Sequence, residues 1–339
     1  MSQSRALSEL TSIQIGGTPA EIFVAKTRDD LIEHTLELWR SGDDWLVLGG
    51  GSNMVVADGC SDLRVVKVEN RGIENIRGKD DSKVTLRVQA GEDWDDFVAW
   101  SVAQNLTGVE ALSGIPGCVG AAPIQNIGAY GQEVAETITR VEFLDYATHE
   151  LEILEAKDLG FGYRDSIFKQ GRLGAILWVE FKLTASAHTD KTPRLIEALD
   201  DSIETPLEVR KRVLSLRHQK GMVLNNADHD TWSCGSFFTN PIVPRAFAAG
   251  IADACPRWAV ADEDLLKLSA AWLIENAGIG KGFSLPHSSA GTSSKHSLAI
   301  TNRGEATGEQ IVQLARFIQL TVSNRFGINL VPEPNLIGF

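Results

Sequence analysis

The sequence predicts an α+β protein in two parts, a larger one to about residue 190 and a smaller one behind it. Three observations carry this. At 339 residues the chain exceeds what one ordinary core accommodates. Its first third alternates short β-like runs with helical periodicity. Ser186-Ala-His-Thr-Asp-Lys-Thr-Pro193 is polar and closed by proline, the clearest linker in the chain.

Thr27 caps a helix with Asp30 at its third position and Leu31, Ile32, Leu36 and Trp39 at helical spacing. The apolar run Trp45–Leu48 reads as a strand entering Gly49-Gly-Gly-Ser-Asn53, and Met54-Val-Val-Ala57 behind it is β-like. A dinucleotide-binding Rossmann turn needs its glycines to open a helix, so that reading is rejected. Strands follow at Leu63–Val68 and Val84–Val88, then a helix through Trp94, Phe97, Val98 and Val102. Gly108–Val134 is rich in Gly, Pro and Ala and has little periodicity. Arg140–Tyr146, Leu151–Leu154 and Ala175–Leu183 read as strands, the last as a buried one. Beyond the linker, Leu207–Leu216 is a basic amphipathic helix and Leu265–Asn276 a second helix, with a Gly/Ser-rich loop at Gly278–Gly291. Thr307 and Gln310 form a capping box for the last long helix, which Gly327 stops. The sequence shows no internal repeat.

Charge and composition exclude several functions. With 45 acidic against 32 basic residues the net charge is −13, which argues against nucleic acid or an anionic membrane as partner. A small anionic ligand needs only a few local cations and N–H groups, and stays open. No run approaches the roughly 18 apolar residues of a membrane span, and Met1-Ser-Gln-Ser-Arg-Ala-Leu7 has no apolar core, predicting no signal peptide. Cys60, Cys118, Cys234 and Cys255 are scattered without a CxxC pair, which predicts reduced thiols in the cytoplasm. The seven histidines form no metal pattern and no metal is expected.

Six constellations can carry chemistry. The glycines of Gly49–Asn53 let N–H groups approach a pyrophosphate, although a ligand-free strand turn has the same composition. Ser113–Gly131 runs about twenty residues without periodicity, as functional loops do, and its small side chains offer bare backbone to a planar or phosphate-bearing ligand; a collapsed loop packed on its own glycines is the alternative. In Gly160-Phe-Gly-Tyr-Arg-Asp-Ser166, Arg164 offers a fork for a carboxylate or phosphate, or a salt bridge to Asp165. Ser236 in Gly235-Ser-Phe-Phe-Thr-Asn-Pro241 lacks the Gly-x-Ser-x-Gly elbow of a hydrolase, which leaves proton donation or a merely small side chain. Glu333, between Pro332 and Pro334, sits in a rigid extended backbone. Arg217 and Lys220 near the end of the basic helix suit a solvated face or a phosphate.

In this order these motifs resemble the UDP-N-acetylenolpyruvoylglucosamine reductase family, also called UDP-N-acetylmuramate dehydrogenase, from about Leu10 to Gly338. Lys220-Gly-Met-Val-Leu224 and Asp230-Thr-Trp-Ser233 look most like its actinobacterial branch. The resemblance implies an FAD-binding domain of the vanillyl-alcohol-oxidase (PCMH) type, with α+β subdomains at 1–65 and 66–190. It also implies a smaller α+β substrate domain at 205–305, and a C-terminal helix and tail at 306–339 returning to the FAD domain. It implies FAD at Gly49, Gly50, Gly51, Ser52 and Asn53, and at Ser113, Gly114, Ile115, Pro116, Gly117, Gly120, Ala121, Gln125, Asn126, Gly128, Tyr130 and Gly131. Tyr163, Arg217, Lys220, Asn240 and Trp258 match substrate-binding positions. The implied reaction is NADPH- and FAD-dependent reduction of an enolpyruvyl UDP-sugar by a cytoplasmic monomer in peptidoglycan precursor synthesis. In it Arg164 and Glu333 stabilise an enolate, and Ser236 delivers the proton. Two family tyrosines are missing: Lys191-Thr-Pro-Arg-Leu195 has none, and Trp258 stands near the other. A flavin oxidase of the same superfamily and a non-catalytic paralogue binding FAD and UDP-sugar are the alternatives.

Overall fold

The computed structural model describes residues 5–76, 82–199 and 202–339. Met1–Ser4, the start of the segment expected to carry no signal, lie outside the described residues. The chain packs as two compact units, and each draws on separated stretches: Met1–Arg5, Pro19–Gly51 and Ser61–Gln219 in the first, Ala6–Thr18, Ser52–Cys60 and Lys220–Phe339 in the second.

The first unit holds a parallel three-stranded sheet in the order Glu21–Ala25, Arg64–Val68, Trp45–Leu48. Helix α1 (Arg28–Ser41) covers one face of it. The expected capping box is present: Thr27 Oγ1 accepts the Asp30 N–H at 3.0 Å, and Asp30 Oδ2 accepts the Thr27 N–H at 3.0 Å. Leu31 and Leu38 of α1 pack with Ala25, Val66 and Val68, so the residue between those valines, Lys67, points to the opposite face. A six-stranded antiparallel sheet follows, with Gly174–Ala185 at its centre between Ile138–Asp145 and Lys83–Gln89. Helix α2 (Trp94–Ala103) buries Trp94, Phe97, Val98 and Val102 there, with the Phe97 and Phe181 rings 4.9 Å apart. Asp93 caps it, its side chain accepting from the Asp96 N–H.

Helices α3 (Pro193–Leu199) and α4 (Pro206–Gln219) also belong to this unit. Val209 and Val213 of α4 pack with Ala111, Leu195 and Leu199, and Tyr130 leans on the cluster. The division by packing therefore falls after Gln219 and not at the polar segment 186–193. Polar composition marks an exposed stretch, and the chain beyond this one turns back onto the same core.

The second unit holds helices α5 (Arg245–Ala248) and α6 (Ala270–Asn276) and is built around a longer one that follows them. Helix α7 (Gly308–Phe326) has its Thr307/Gln310 capping box and ends at Gly327, φ 69°. Its Ile311, Leu314, Ile318 and Val322 recur at helical spacing and pack with Phe237, Phe238, Leu273, Ile300, Val55 and Ile13. The helix expected at Leu265–Asn276 is divided: Leu265–Leu268 is the central strand of a three-stranded sheet, and Ser269 caps α6. Leu-Leu-Lys-Leu fits either period over four residues, and cross-strand pairing with Ile242–Pro244 and Arg257–Ala259 decides it. The C-terminal strand Asn335–Ile337 pairs in parallel with Met54–Val56, a stretch that belongs to the same second unit.

Candidate active site

In the first unit the two glycine-rich segments lie backbone to backbone. A Cβ at Gly49 would stand 2.6 Å from Cys118 Sγ, and one at Gly50 would stand 2.5 Å from Gly117 Cα. Only glycine permits that approach. Gly120 sits on Ala90 in the same way, where a Cβ would meet the Ala90 Cβ at 2.6 Å. With Ala121 alongside, the outcome is a surface of main chain and very small side chains, which a pyrophosphate or a flat ring system can lie against.

The second segment is pinned at both ends of its tightest turn. Gly114 donates its N–H to Asp95 Oδ1 at 2.6 Å, and the Trp94 N–H donates to Gly117 O at 3.1 Å, with half-buried Ile115 and Pro116 between them. Ser113 is fully buried and its hydroxyl donates to Glu110 O at 2.7 Å. Asp95 is in turn gripped by the Arg210 fork, Nη1 to Oδ1 at 2.5 Å and Nη2 to Oδ2 at 2.8 Å. Desolvation opposes the Asp95 carboxylate, but Arg210, the Gly114 N–H and Arg217 outweigh it and hold its pKa below the ordinary value. Asp95 and Arg210 escaped the sequence reading. An aspartate in a first helical turn reads as dipole complement, and an arginine on a basic helix as solvated.

Further along the segment, Asn126 and Tyr130 hold left-handed φ values of 46° and 50°, and Gly131 one of 89°. The buried Asn126 amide is engaged within the protein: Nδ2 donates to Glu133 Oε2 and Gly162 O, both at 2.9 Å, and Oδ1 accepts the Ala135 N–H at 3.0 Å. Arg164, itself left-handed at φ 54°, follows Tyr163, half-buried Gln125 lies upstream, and the Arg164 guanidinium sits 5.5 Å over the Tyr163 ring. It donates to the carbonyls of Asn126 at 3.3 Å and Gly128. A non-glycine residue held there costs about 1–3 kcal/mol and persists only where its surroundings over-determine it, as active sites do. Half-buried Arg217 at the end of α4 faces Tyr130 and Asp95. Burial pushes its pKa down against their influence, and burial raises the Tyr130 phenol. A solvated face is not what Arg217 occupies.

The second unit brings Ser236 and Glu333 together. Glu333 donates its N–H to Phe237 O at 2.9 Å, Phe238 bridges Pro332, and the Thr239 N–H donates to Val331 O at 3.0 Å. The two motifs thus run side by side for several residues. Gly235, φ 74°, makes the turn into Ser236, while Phe237 and Phe238 are buried behind it. Asn53 joins them, its Nδ2 donating to Glu333 O at 3.3 Å and its carbonyl accepting the Asn335 N–H at 3.0 Å. Ser52 O accepts a hydrogen bond from Ser12 Oγ at 3.4 Å. Beneath, Cys234 donates to Met54 O at 3.2 Å, and burial pushes its thiol up to about 12. Asn240 Oδ1 accepts the Ala270 N–H at 2.9 Å at the start of α6, and Trp258 lies under Lys267 at 5.9 Å. Lys220 is exposed; with burial and Lys281 it helps push His296 down to about 4.

Arg164 and Arg217 therefore belong to the first unit, and Ser236, Glu333, Lys220, Asn240 and Trp258 to the second. Among the described residues no group of three His, Cys, Asp or Glu side chains could hold a metal ion. Nor is any helix among them long and apolar enough to cross a membrane.

Comparison with known proteins adds the family. The model for an FAD binding domain matches residues 19–154, and that for the UDP-N-acetylenolpyruvoylglucosamine reductase C-terminal domain matches 226–337. The UDP-N-acetylenolpyruvoylglucosamine reductase of Leifsonia xyli subsp. xyli is 44% identical over 376 residues, covering 100% of this chain and 99% of that protein. Its counterpart from Salinispora arenicola is 46% identical over 344 residues, covering 98% and 94%. In fold, the crystal structure of the Thermus caldophilus UDP-N-acetylenolpyruvylglucosamine reductase matches with a TM-score of 0.69 at 24% identity, over 99% of each chain. The chain belongs to the UDP-N-acetylenolpyruvoylglucosamine reductase family.

Proposed function

We infer that this protein reduces the enolpyruvyl ether of UDP-N-acetylglucosamine enolpyruvate to UDP-N-acetylmuramate, with FAD as cofactor, in peptidoglycan precursor synthesis. NADPH is the reductant in this reading, and the enzyme works as a cytoplasmic monomer. The first unit takes the FAD, on the paired backbones of Gly49–Gly51 and Ser113–Gly131. Bound FAD, once reduced by NADPH, would supply the hydride that adds to the β-carbon of the enol ether.

The protein's own residues then face one problem. Hydride addition leaves negative charge on the α-carbon and its carboxylate, an enolate that needs preorganised donors in a dry site. The pairing of the backbone segments that carry Ser236 and Glu333, through the Glu333 N–H to Phe237 O hydrogen bond, is the observation that supports this reading. Ser236 holds its hydroxyl proton for the α-carbon, and Glu333 and the Arg164 fork stabilise the enolate. A serine hydroxyl is a weak acid, with a pKa near ~15.7 if it behaves like water. It serves because the carbanion-like centre it quenches is far more basic, and because Phe237 and Phe238 exclude water behind it. Arg217, Lys220, Asn240, Tyr163 and Trp258 bind and orient the UDP-sugar.

The test is the visible spectrum. The purified protein is expected to be yellow, to bleach anaerobically with NADPH, and to recolour on addition of the enolpyruvyl UDP-sugar. Recolouring by oxygen alone would replace this reading with an oxidase. A coloured protein that never bleaches would make it a silent binder.

A further inference from the structure

We propose that Lys67 is a positioning residue for the cofactor: it locks the Gly49–Gly50 peptide so that the Gly50 N–H is presented to the FAD pyrophosphate. This rests on the FAD reading above. Lys67 lies on the strand Arg64–Val68, directly opposite Leu48, the last residue before the glycine turn. Because Val66 and Val68 face α1, Lys67 faces the other side, where its ammonium donates to Gly49 O. That is its single hydrogen bond to the described residues, and it makes no ion pair with any of their carboxylates. Desolvation lowers its pKa, against the influence of the Cys118 thiol and Glu69.

A half-buried lysine without a carboxylate is costly, and a fold retains one where the charge or its donors do something. What it does follows from peptide geometry. In a trans peptide the C=O and N–H point in opposite directions. With Gly49 O captured by Lys67, the Gly50 N–H is turned away from the strand. A Gly–Gly peptide is the one most free to flip, since neither residue has a Cβ to resist it. Neither Gly50 nor Gly51 donates its N–H to another group of the described residues, so both remain available to an anionic ligand. A flip would put a carbonyl oxygen where the pyrophosphate has to lie.

Apoprotein should therefore be titrated with FAD and with riboflavin, which carries no phosphate. Lys67→Met is expected to weaken FAD binding roughly 10–100-fold, the loss of a charge-assisted hydrogen bond and the group it orients, and to leave riboflavin within about twofold. Lys67→Gln and Lys67→Arg keep a donor to the carbonyl and are expected to restore most of the FAD affinity, which separates orientation from bulk charge. Equal loss of FAD and riboflavin, or unchanged FAD affinity in Lys67→Met, overturns the proposal; no rescue by glutamine overturns the positioning role. A wild-type apoprotein that binds riboflavin and FAD equally, or neither, overturns the cofactor reading itself, whatever the variants do. Lys67→Met apoprotein should melt no lower than wild type, because the change removes a desolvated charge, and a large drop would mark a structural role instead.

Discussion

Breaking the Arg210–Asp95 pair tests how the cofactor loop is held, because the same carboxylate takes the Gly114 N–H. Removing one member of a fully buried pair costs about 3–5 kcal/mol, and an exposed pair is worth about 0–1. Here the Arg210 side chain is 16% exposed and Asp95 31%, so the solvent-discounted coupling falls between, at about 1–2.5 kcal/mol. Asp95→Asn keeps an acceptor for Gly114 but loses the charge. Arg210→Met keeps the carboxylate but leaves it desolvated and loosely held. Each is expected to raise the FAD dissociation constant of the apoprotein about 5- to 70-fold if the whole coupling is felt at the turn. Because both act on one turn, the double variant should be no worse than the poorer single one by more than about twofold. The native pKa of Asp95 is depressed, so its contribution is present above the ordinary carboxylate value of 3.8 and is lost as pH falls through the lower native value. The coupling should therefore be undiminished at pH 6. Fluorescence titration of the four proteins decides: effects that simply multiply, or affinities that do not move, would refute a shared strap on Gly114.

Ser236→Ala should slow flavin-to-substrate transfer roughly 10²–10³-fold, about 2.7–4 kcal/mol of transition-state stabilisation, while flavin reduction by NADPH survives; stopped-flow traces showing equal loss in both half-reactions would remove Ser236 from the proton step. Gly50→Ala drives a Cβ to 2.5 Å from Gly117 Cα, so a cost of about 1–3 kcal/mol in stability and at least tenfold weaker FAD binding are expected from urea melts and titration. Cys234, with its thiol at about 12, should resist alkylation by iodoacetamide at pH 8 in the native protein and react once unfolded, as peptide mass mapping would show. Its native pKa is raised, so its contribution is complete below the ordinary thiol value of 9.0 and is lost as pH climbs from there to about 12; Cys234→Ala should flatten that alkaline decline.

Local chemistry was readable wherever the signal was local. Thr27 with Asp30, and Thr307 with Gln310, set helix starts through bonds spanning three residues, and Gly327 ends the last helix as expected. The glycines of the two loops were legible as positions needing close approach or positive φ, and Gly51, Gly114, Gly117 and Gly131 do take positive φ. What approached what was not: Gly50 meets Gly117, sixty-odd positions away, and no period in the sequence encodes that pairing. The same limit hid the make-up of the second unit. Met54–Val56 finds its partner at Asn335–Ile337, and Ala6–Thr18 packs with residues from the far end of the chain.

Helix α4 shows why composition misleads at a functional site. Its arginines read as a solvated face by charge alone, yet the face they occupy packs against α2 and the Ser113–Gly131 loop, where Arg210 grips Asp95 and Arg217 lies beside Tyr130. The few apolar residues of α4, Val209 and Val213, are enough to seat it because they meet Ala111, Leu195 and Leu199 in a small cluster of their own. Once it is seated, desolvation lowers the Arg217 pKa against the opposing influence of Tyr130 and Asp95. A protein of net charge −13 can thus turn local positive charge toward an anionic ligand without a basic surface. Four cations of the first unit, Arg164, Lys67, Arg210 and Arg217, are each anchored to a main-chain carbonyl or a carboxylate, or half-buried beside a phenol. Fixed in this way, such cations lose little entropy when a phosphate or carboxylate arrives, which is how preorganisation favours binding.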